Sequence, residues 1–227
     1  MNLKNKNKLI IFDVDGTILN TIKTIAFHGN RALRELGFKE MSIEDFTRFV
    51  GNSSWALVKR LLEKQGVYGD EYAKKVMDLY HEYYQADVTY LTHPYDGIID
   101  LVKHLRSMGY MIAALSNKPD HTLKIVLDKM KMVELFDFSQ GQMDSVEKKP
   151  SPDMVNMLLE KFKVKRDNTC IIGDSEVDIK TGENAEIKTI AVTWGFRSEE
   201  ELRSLDPDWL IHDVDELREL FDEGVIL

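Results

Sequence analysis

The stretch "LIIFDVDGTIL" at residues 9–19 puts two carboxylates, Asp13 and Asp15, then Gly16 and Thr17, directly after four apolar residues. Two further acids, Asp174 and Asp178, follow the apolar run "CIIG" at 170–173, and Ser116 and Asn117 follow "YMIAAL" at 110–115. Lys148 and Lys149 lie between these two runs, in "EKKPSPD". Clustered acids repel one another unless a proton or a cation sits among them. Carboxylate and carbonyl oxygens suit Mg²⁺, and a bound Mg²⁺ would keep Asp13 and Asp174 ionised and draw in a phosphate. Of Asp13 and Asp15, one carboxylate can attack phosphorus while the other exchanges a proton with the leaving or attacking oxygen. Gly16 allows a sharp turn where backbone approaches a ligand, and the N–H groups of Gly16 and Thr17 can hold phosphoryl oxygens. Ser116 and Asn117 can donate to the same oxygens, and a lysine supplies compact positive charge beside them.

That chemistry needs elements that bring distant residues together. The runs at 9–12, 110–115, 170–173 and 189–194, with a weaker one at 209–211, read as buried parallel strands. Helical patterns alternate with them. In "GIIDLVKHLRSMG" one face carries Ile98, Leu101, Val102, Leu105 and Met108, with Gly109 at the end. "SPDMVNMLLEKF" opens with Ser151 as N-cap and Pro152 at the first helical position. Strand-helix alternation predicts an α/β fold with a doubly wound, mostly parallel, Rossmann-like sheet. Residues 20–92 break the alternation with four helical patterns, and "THPYDG" at 92–97 reads as the return linker. The chain thus divides into a core of 1–19 and 93–227 and a helical insertion of 20–92. In open α/β sheets ligands bind outside the carboxyl ends of the strands, where the acids, the serine and the asparagine all fall.

"FDVDGTIL", the serine of "LSNKP", the lysine of "KKPSPD" and "IIGDSEVDI" stand in the order of four family motifs. On these residues the chain resembles the haloacid dehalogenase-like hydrolase superfamily along essentially its whole length. "FVGNSSWALVKRLLE", "LSNKP" and "TWGFRSEEEL" are most similar to its phosphoglycolate phosphatase-like members, and the insertion resembles their small helical cap. The resemblance implies a Mg²⁺-dependent phosphatase for a small phosphorylated metabolite. Asp13 is then the nucleophile that forms an aspartyl-phosphate, and Asp15 the general acid/base. Asp13, the Asp15 carbonyl and Asp174 would ligate Mg²⁺, with Asp178 in the second shell. Ser116 would hold the phosphoryl group, and Lys149, which directly precedes Pro150, would offset its charge. Asn20-Thr21 and Glu186 depart from the family pattern, the latter where a helix-ending glycine is usual.

A phosphosugar mutase or an inorganic pyrophosphatase would use the same acids. A phospho-accepting signalling module is disfavoured by the length and by the insertion. "VGNSS" at 50–54, with Gly51, Asn52 and Ser53, interrupts the helical pattern and is the candidate specificity loop. Asp213 in "IHDVDEL" repeats Asp-Val-Asp without a following Gly-Thr and reads as a helix cap. Tyr80, Tyr83 and Tyr84 read as packing, His28 as a surface or partly buried residue, and Arg48, Lys59 and Arg60 as solvated charge.

The net charge of −9 argues against nucleic acid and anionic membrane as partners. Residues 20–92 hold ten Lys+Arg and ten Asp+Glu, so the remainder carries the whole excess. No apolar run reaches the length of a membrane span. "MNLKNKNK" makes a poor signal peptide and reads as a solvated tail. The single cysteine, Cys170, sits in an apolar run; it reads as a buried small residue and points to the cytoplasm.

Overall fold

The computed structural model describes residues 5–227. Strand β1 (Leu9–Phe12) matches the apolar run, and all four residues are buried. Its side chains serve two cores: Ile10 and Phe12 pack in one cluster, Leu9 and Ile11 in another, as the two-residue period of a strand requires. The two-residue strand β2 (Leu19–Asn20) follows, then helices α1 (Ile22–Glu35), α2 (Ile43–Phe49), α3 (Ser54–Glu63) and α4 (Asp70–Ala86). Strand β3 (His93–Pro94) returns antiparallel to β2, with Leu19 opposite Pro94 and Asn20 opposite His93. The two crossings of the helical insertion are therefore paired to each other, and the segment expected to be a plain linker carries part of that ladder.

The alternating part continues as α5 (Ile98–Ser107), β4 (Met111–Pro119), α6 (Asp120–Lys129), β5 (Phe138–Gln142), α7 (Asp153–Phe162), β6 (Thr169–Gly173), α8 (Glu176–Asn184), β7 (Lys188–Val192), α9 (Glu199–Arg203), β8 (Trp209–Ile211) and α10 (Val214–Asp222). Six strands form one sheet in the order β5-β4-β1-β6-β7-β8, and all its pairings are parallel. The chain winds outward from β1 through β4 to β5, then resumes on the other side of β1 with β6. That reversal makes a crevice at the carboxyl ends of β1 and β6.

Local expectations meet the structure in detail. α5 buries Ile98, Leu101, Val102 and Leu105. α7 starts one residue later than read from the sequence, at Asp153, whose N–H donates to Ser151 Oγ at 3.4 Å. Asp213 caps α10 by accepting from Glu216 N at 2.8 Å. Glu186 takes the left-handed position after α8 itself, at φ 53°. Strand β5 was not read from the sequence. "FSQGQ" is polar because an edge strand pairs on one side only and needs no continuous apolar run. Residues 1–4 of the expected tail lie outside the described residues; at Asn5 the expectation fails, because Asn5 is buried and donates to Met108 O at 3.3 Å, whereas Lys6 and Asn7 are exposed. No described helix is long and apolar enough to cross a membrane.

Candidate active site

Asp13 stands one residue past β1, and its N–H donates to Ile172 O of β6 at 2.8 Å. Backbone pairing across the reversal thus fixes where this carboxylate begins. Asp174 stands one residue past β6, and Asp178 lies in the first turn of α8. Carboxylate oxygens of Asp13, Asp174 and Asp178 lie within 4.8 Å of one another, and all three residues are buried. The approach is close enough to demand glycine. A Cβ on Gly173 would sit 2.2 Å from Asp178 Cβ, and one on Gly16 would sit 2.3 Å from Asp174 Oδ2.

Lys149 projects from the loop before α7 into this cluster. Its Nζ donates to Asp13 Oδ1 and to Asp178 Oδ1, both at 2.6 Å, and to Leu115 O at 3.2 Å, so its three protons are engaged. Ser175 Oγ donates to the other Asp178 oxygen at 2.6 Å. Asp174 accepts from Phe196 N at 2.7 Å and Thr17 Oγ1 at 3.1 Å. Burial raises Asp13 well above the usual carboxylate range; Lys149 opposes the rise, and Asp178 and Asp174 add to it. Burial, reinforced by Asp178, pushes the Asp174 carboxyl up to about 7 despite the bonds from Phe196 and Thr17. Burial works against the Lys149 charge, but Asp13 and Asp178 more than offset it and hold its pKa above the ordinary lysine value.

Asp15 turns away from the triad. Its Oδ2 lies 3.3 Å from Lys118 Nζ, and its Oδ1 is buried without a partner among the described residues. The four acids Asp13, Asp15, Asp174 and Asp178 face two ammonium groups, Lys118 and Lys149. An all-oxygen donor set that carries two negative charges in excess once all four acids are ionised fits a hard divalent cation.

These groups line a cavity of about 240 Å³. Its floor includes Asp13, Asp15, Ser116, Lys149 and Asp174; its roof comes from the insertion, through Gly51, Ser53, Leu57, Tyr80 and Tyr84. Arg197, after β7, ties floor to roof. It pairs with Glu176 at 2.8 Å and donates to Thr47 O at 3.0 Å and Val50 O at 2.8 Å.

The description "haloacid dehalogenase-like hydrolase" matches residues 10–192, from β1 to the end of β7. The chain belongs to the haloacid dehalogenase-like hydrolases. This hydrolase is 30% identical to the phosphoglycolate phosphatase of Aquifex aeolicus over 219 residues, 96% of this chain and 99% of the relative. It is 33% identical to the phosphoglycolate phosphatase of Cereibacter sphaeroides over 189 residues, covering 83% and 86% of the two chains. A crystal structure from Lactobacillus delbrueckii subsp. bulgaricus, 31% identical, superposes with a TM-score of 0.89 and covers 94% of this chain and 98% of that one.

Within the hydrolase, some residues read from the sequence take other places. Thr17 and Gly16 do not line the cavity; both are buried behind Asp174, where Thr17 donates to its carboxylate. Asn117 lines the cavity, but its amide nitrogen is spent on the carbonyls of Lys149 at 2.9 Å and of Gly51 and Asn52 at 3.3 Å, pinning the 50–54 loop. Asn52 lies outside the lining and accepts from Arg60 at 3.0 Å, and Ser53 caps α3 through Ala56 N at 3.2 Å. Asp178 stands in the acidic triad itself rather than behind it. Lys59 pairs with Asp70 at an exposed site, and Arg48 is exposed. His28 is buried away from the cavity, 2.9 Å from Asp87 O. Cys170 is fully buried.

Three side chains were missed: Lys118, Tyr84 and Arg197. Lys118 had a usable signal, since it lies two positions beyond Ser116 on the same strand end. Tyr80 and Tyr84 were read as packing from their four-residue spacing, which places both on one face but does not say what that face covers. Arg197 lies inside "TWGFRSEEEL", but that stretch does not say that its side chain reaches the insertion.

Proposed function

We propose that this hydrolase is a Mg²⁺-dependent phosphatase that acts on a small phosphorylated metabolite, a short phospho-acid such as phosphoglycolate, through an aspartyl-phosphate on Asp13. The observation that carries the reading is the buried triad of Asp13, Asp174 and Asp178, with the Lys149 ammonium inside it and Asp15 beside it, at the floor of one small roofed cavity. The names of the Aquifex and Cereibacter relatives support the substrate class.

In this reading an Asp13 carboxylate oxygen attacks phosphorus as the ester oxygen leaves, and Asp15 gives that oxygen its proton. Asp15 then takes a proton from water, whose oxygen attacks phosphorus and releases phosphate from Asp13. Ser116 holds a phosphoryl oxygen, and Lys149 keeps Asp13 aimed and sets its charge against the phosphoryl group. Mg²⁺ held by Asp13, the Asp15 carbonyl and Asp174 would supply further positive charge against those oxygens. Residues 20–92 act as a cap on the core of 1–19 and 93–227; they exclude bulk water during the reaction and open about the β2–β3 ladder for release. The working compartment is the cytoplasm.

A panel of phosphorylated metabolites, assayed for released phosphate with and without Mg²⁺, tests the reading. Mg²⁺-dependent release from a short phospho-acid is expected. Interconversion of isomers without phosphate release would replace it with a mutase, and preference for pyrophosphate would replace it with a pyrophosphatase.

A further inference from the structure

Three Lys or Arg side chains line the cavity among the described residues: Lys149, Arg197 and Lys118. Lys149 has all three protons engaged beside the nucleophile. Arg197 is spent on Glu176 and on the carbonyls of Thr47 and Val50. Lys118 differs from both. Its side chain is only 7% exposed, and its Nζ has two polar partners, Tyr84 Oη at 2.8 Å and Asp15 Oδ2 at 3.3 Å. An ammonium has three donors, so one remains for whatever enters the cavity. The Tyr84 ring lies beneath it, with Nζ 4.7 Å from the centroid.

Resting on the phosphatase reading above, we propose that Lys118, held by Tyr84, is the specificity-determining residue that reads a carboxylate on the leaving side of the substrate.

The position of Lys118 beside Asp15 suits an acid on the leaving side. Lys118 holds Asp15 Oδ2, which leaves the unpartnered Oδ1 to face the ester oxygen. A substrate carboxylate accepting from Lys118 at about 2.8 Å and an ester oxygen about 2.7 Å from Asp15 complete a closed ring of polar atoms. A carboxylate on the carbon that bears the ester oxygen can reach Lys118 while that oxygen meets Asp15. A neutral leaving group puts nothing opposite the third Lys118 donor and leaves a buried cation less well paired than the acid does. Tyr84 belongs to α4 of the insertion and Lys118 to β4 of the sheet, so this subsite is complete only with the insertion in place over the sheet.

The test compares kcat/KM for phosphoglycolate and for ethyl phosphate, which has a similar size and no carboxylate. The wild-type protein should prefer phosphoglycolate by at least about 10-fold, as expected for one charge-assisted hydrogen bond. Lys118→Met lowers turnover of both esters through its contact with Asp15, and phosphoglycolate should fall by about 10- to 100-fold more. Tyr84→Phe keeps the ring and removes the hydroxyl tether, and should narrow the preference less than Lys118→Met does. Equal losses on both esters in Lys118→Met would overturn the proposal and assign Lys118 to Asp15 alone. If Lys118→Met fails to fold, a wild-type protein that hydrolyses both esters with equal kcat/KM overturns it as well, with the phosphatase reading intact. No phosphate release from either ester or from the wider panel would overturn that reading and this proposal with it.

Discussion

The Lys149 ammonium lies 2.6 Å from Asp13 Oδ1, across 136 positions of chain. The same ammonium binds Asp178, so one buried cation sets the distance between the proposed nucleophile and a second acid of the triad. Everything proposed for the chemistry depends on that arrangement.

Asp13→Asn keeps the size of the side chain and removes its nucleophilic oxygen. Phosphate release should fall by at least about 10³-fold, the scale of losing a covalent nucleophile. The circular dichroism spectrum should stay that of the wild type. Activity within a few-fold of wild type would remove Asp13 from the nucleophile role.

Metal dependence should vary with pH. The folded protein holds the Asp174 proton up to about pH 7, whereas an ordinary Asp releases it near 3.8, and Asp13 is shifted the same way. The folded state therefore binds more protons than the unfolded one, and the metal-free protein loses stability as pH rises from about 4 to 7. Divalent binding must displace those protons, so it strengthens over the same range. Saturating Mg²⁺ at pH 8 should raise the melting temperature by about 5 °C or more, with a several-fold smaller rise at pH 5.5. A shift that does not change with pH would sink this account.

Arg197→Met should weaken the tie between roof and floor. It leaves Glu176 without its cation and frees the carbonyls of Thr47 and Val50. The loss should be about 2 kcal/mol, less than for breaking a fully buried ion pair because Glu176 is partly exposed. That lowers the melting temperature by about 4–8 °C, and limited proteolysis should cut residues 47–53 faster. An unaltered melting curve and digestion pattern would show that the tie carries no energetic weight.

Glu186 occupies a left-handed position, φ 53°, where glycine is free of the Cβ penalty. Its N–H donates to Glu183 O and that of Ile187 to Gly182 O, so the helix end closes without glycine. Glu186→Gly should stabilise the protein by about 0.5–1 kcal/mol, a rise in melting temperature of about 1–4 °C. A fall would show that the side chain contributes more than its backbone strain removes.

Much of this molecule was legible in the order of its residues. Apolar runs located β1, β4, β6 and β7 because a strand buried on both faces must be apolar at nearly every position, the weaker run at 209–211 located the edge strand β8, and amphipathic spacing located the insertion helices and α5. Asp213 was readable as a cap because capping is decided within three residues. β5 was not legible, since an edge strand is relieved of the apolar requirement.

The sequence by itself determined which segments are strands and helices, that acids stand at the ends of two strands, and that a helical insertion separates the first strand from the rest. These follow from local periodicity and from side-chain chemistry a few residues apart. Only the tertiary structure decided that Lys149 enters the acid cluster, that Thr17 and Asn117 support other groups, and that Lys118 meets Tyr84. It also decided that Arg197 holds a carbonyl 147 positions away. Those relations depend on which strand lies beside which and on how the insertion seats over the sheet, and no local spacing encodes a distance that the global winding of the chain creates.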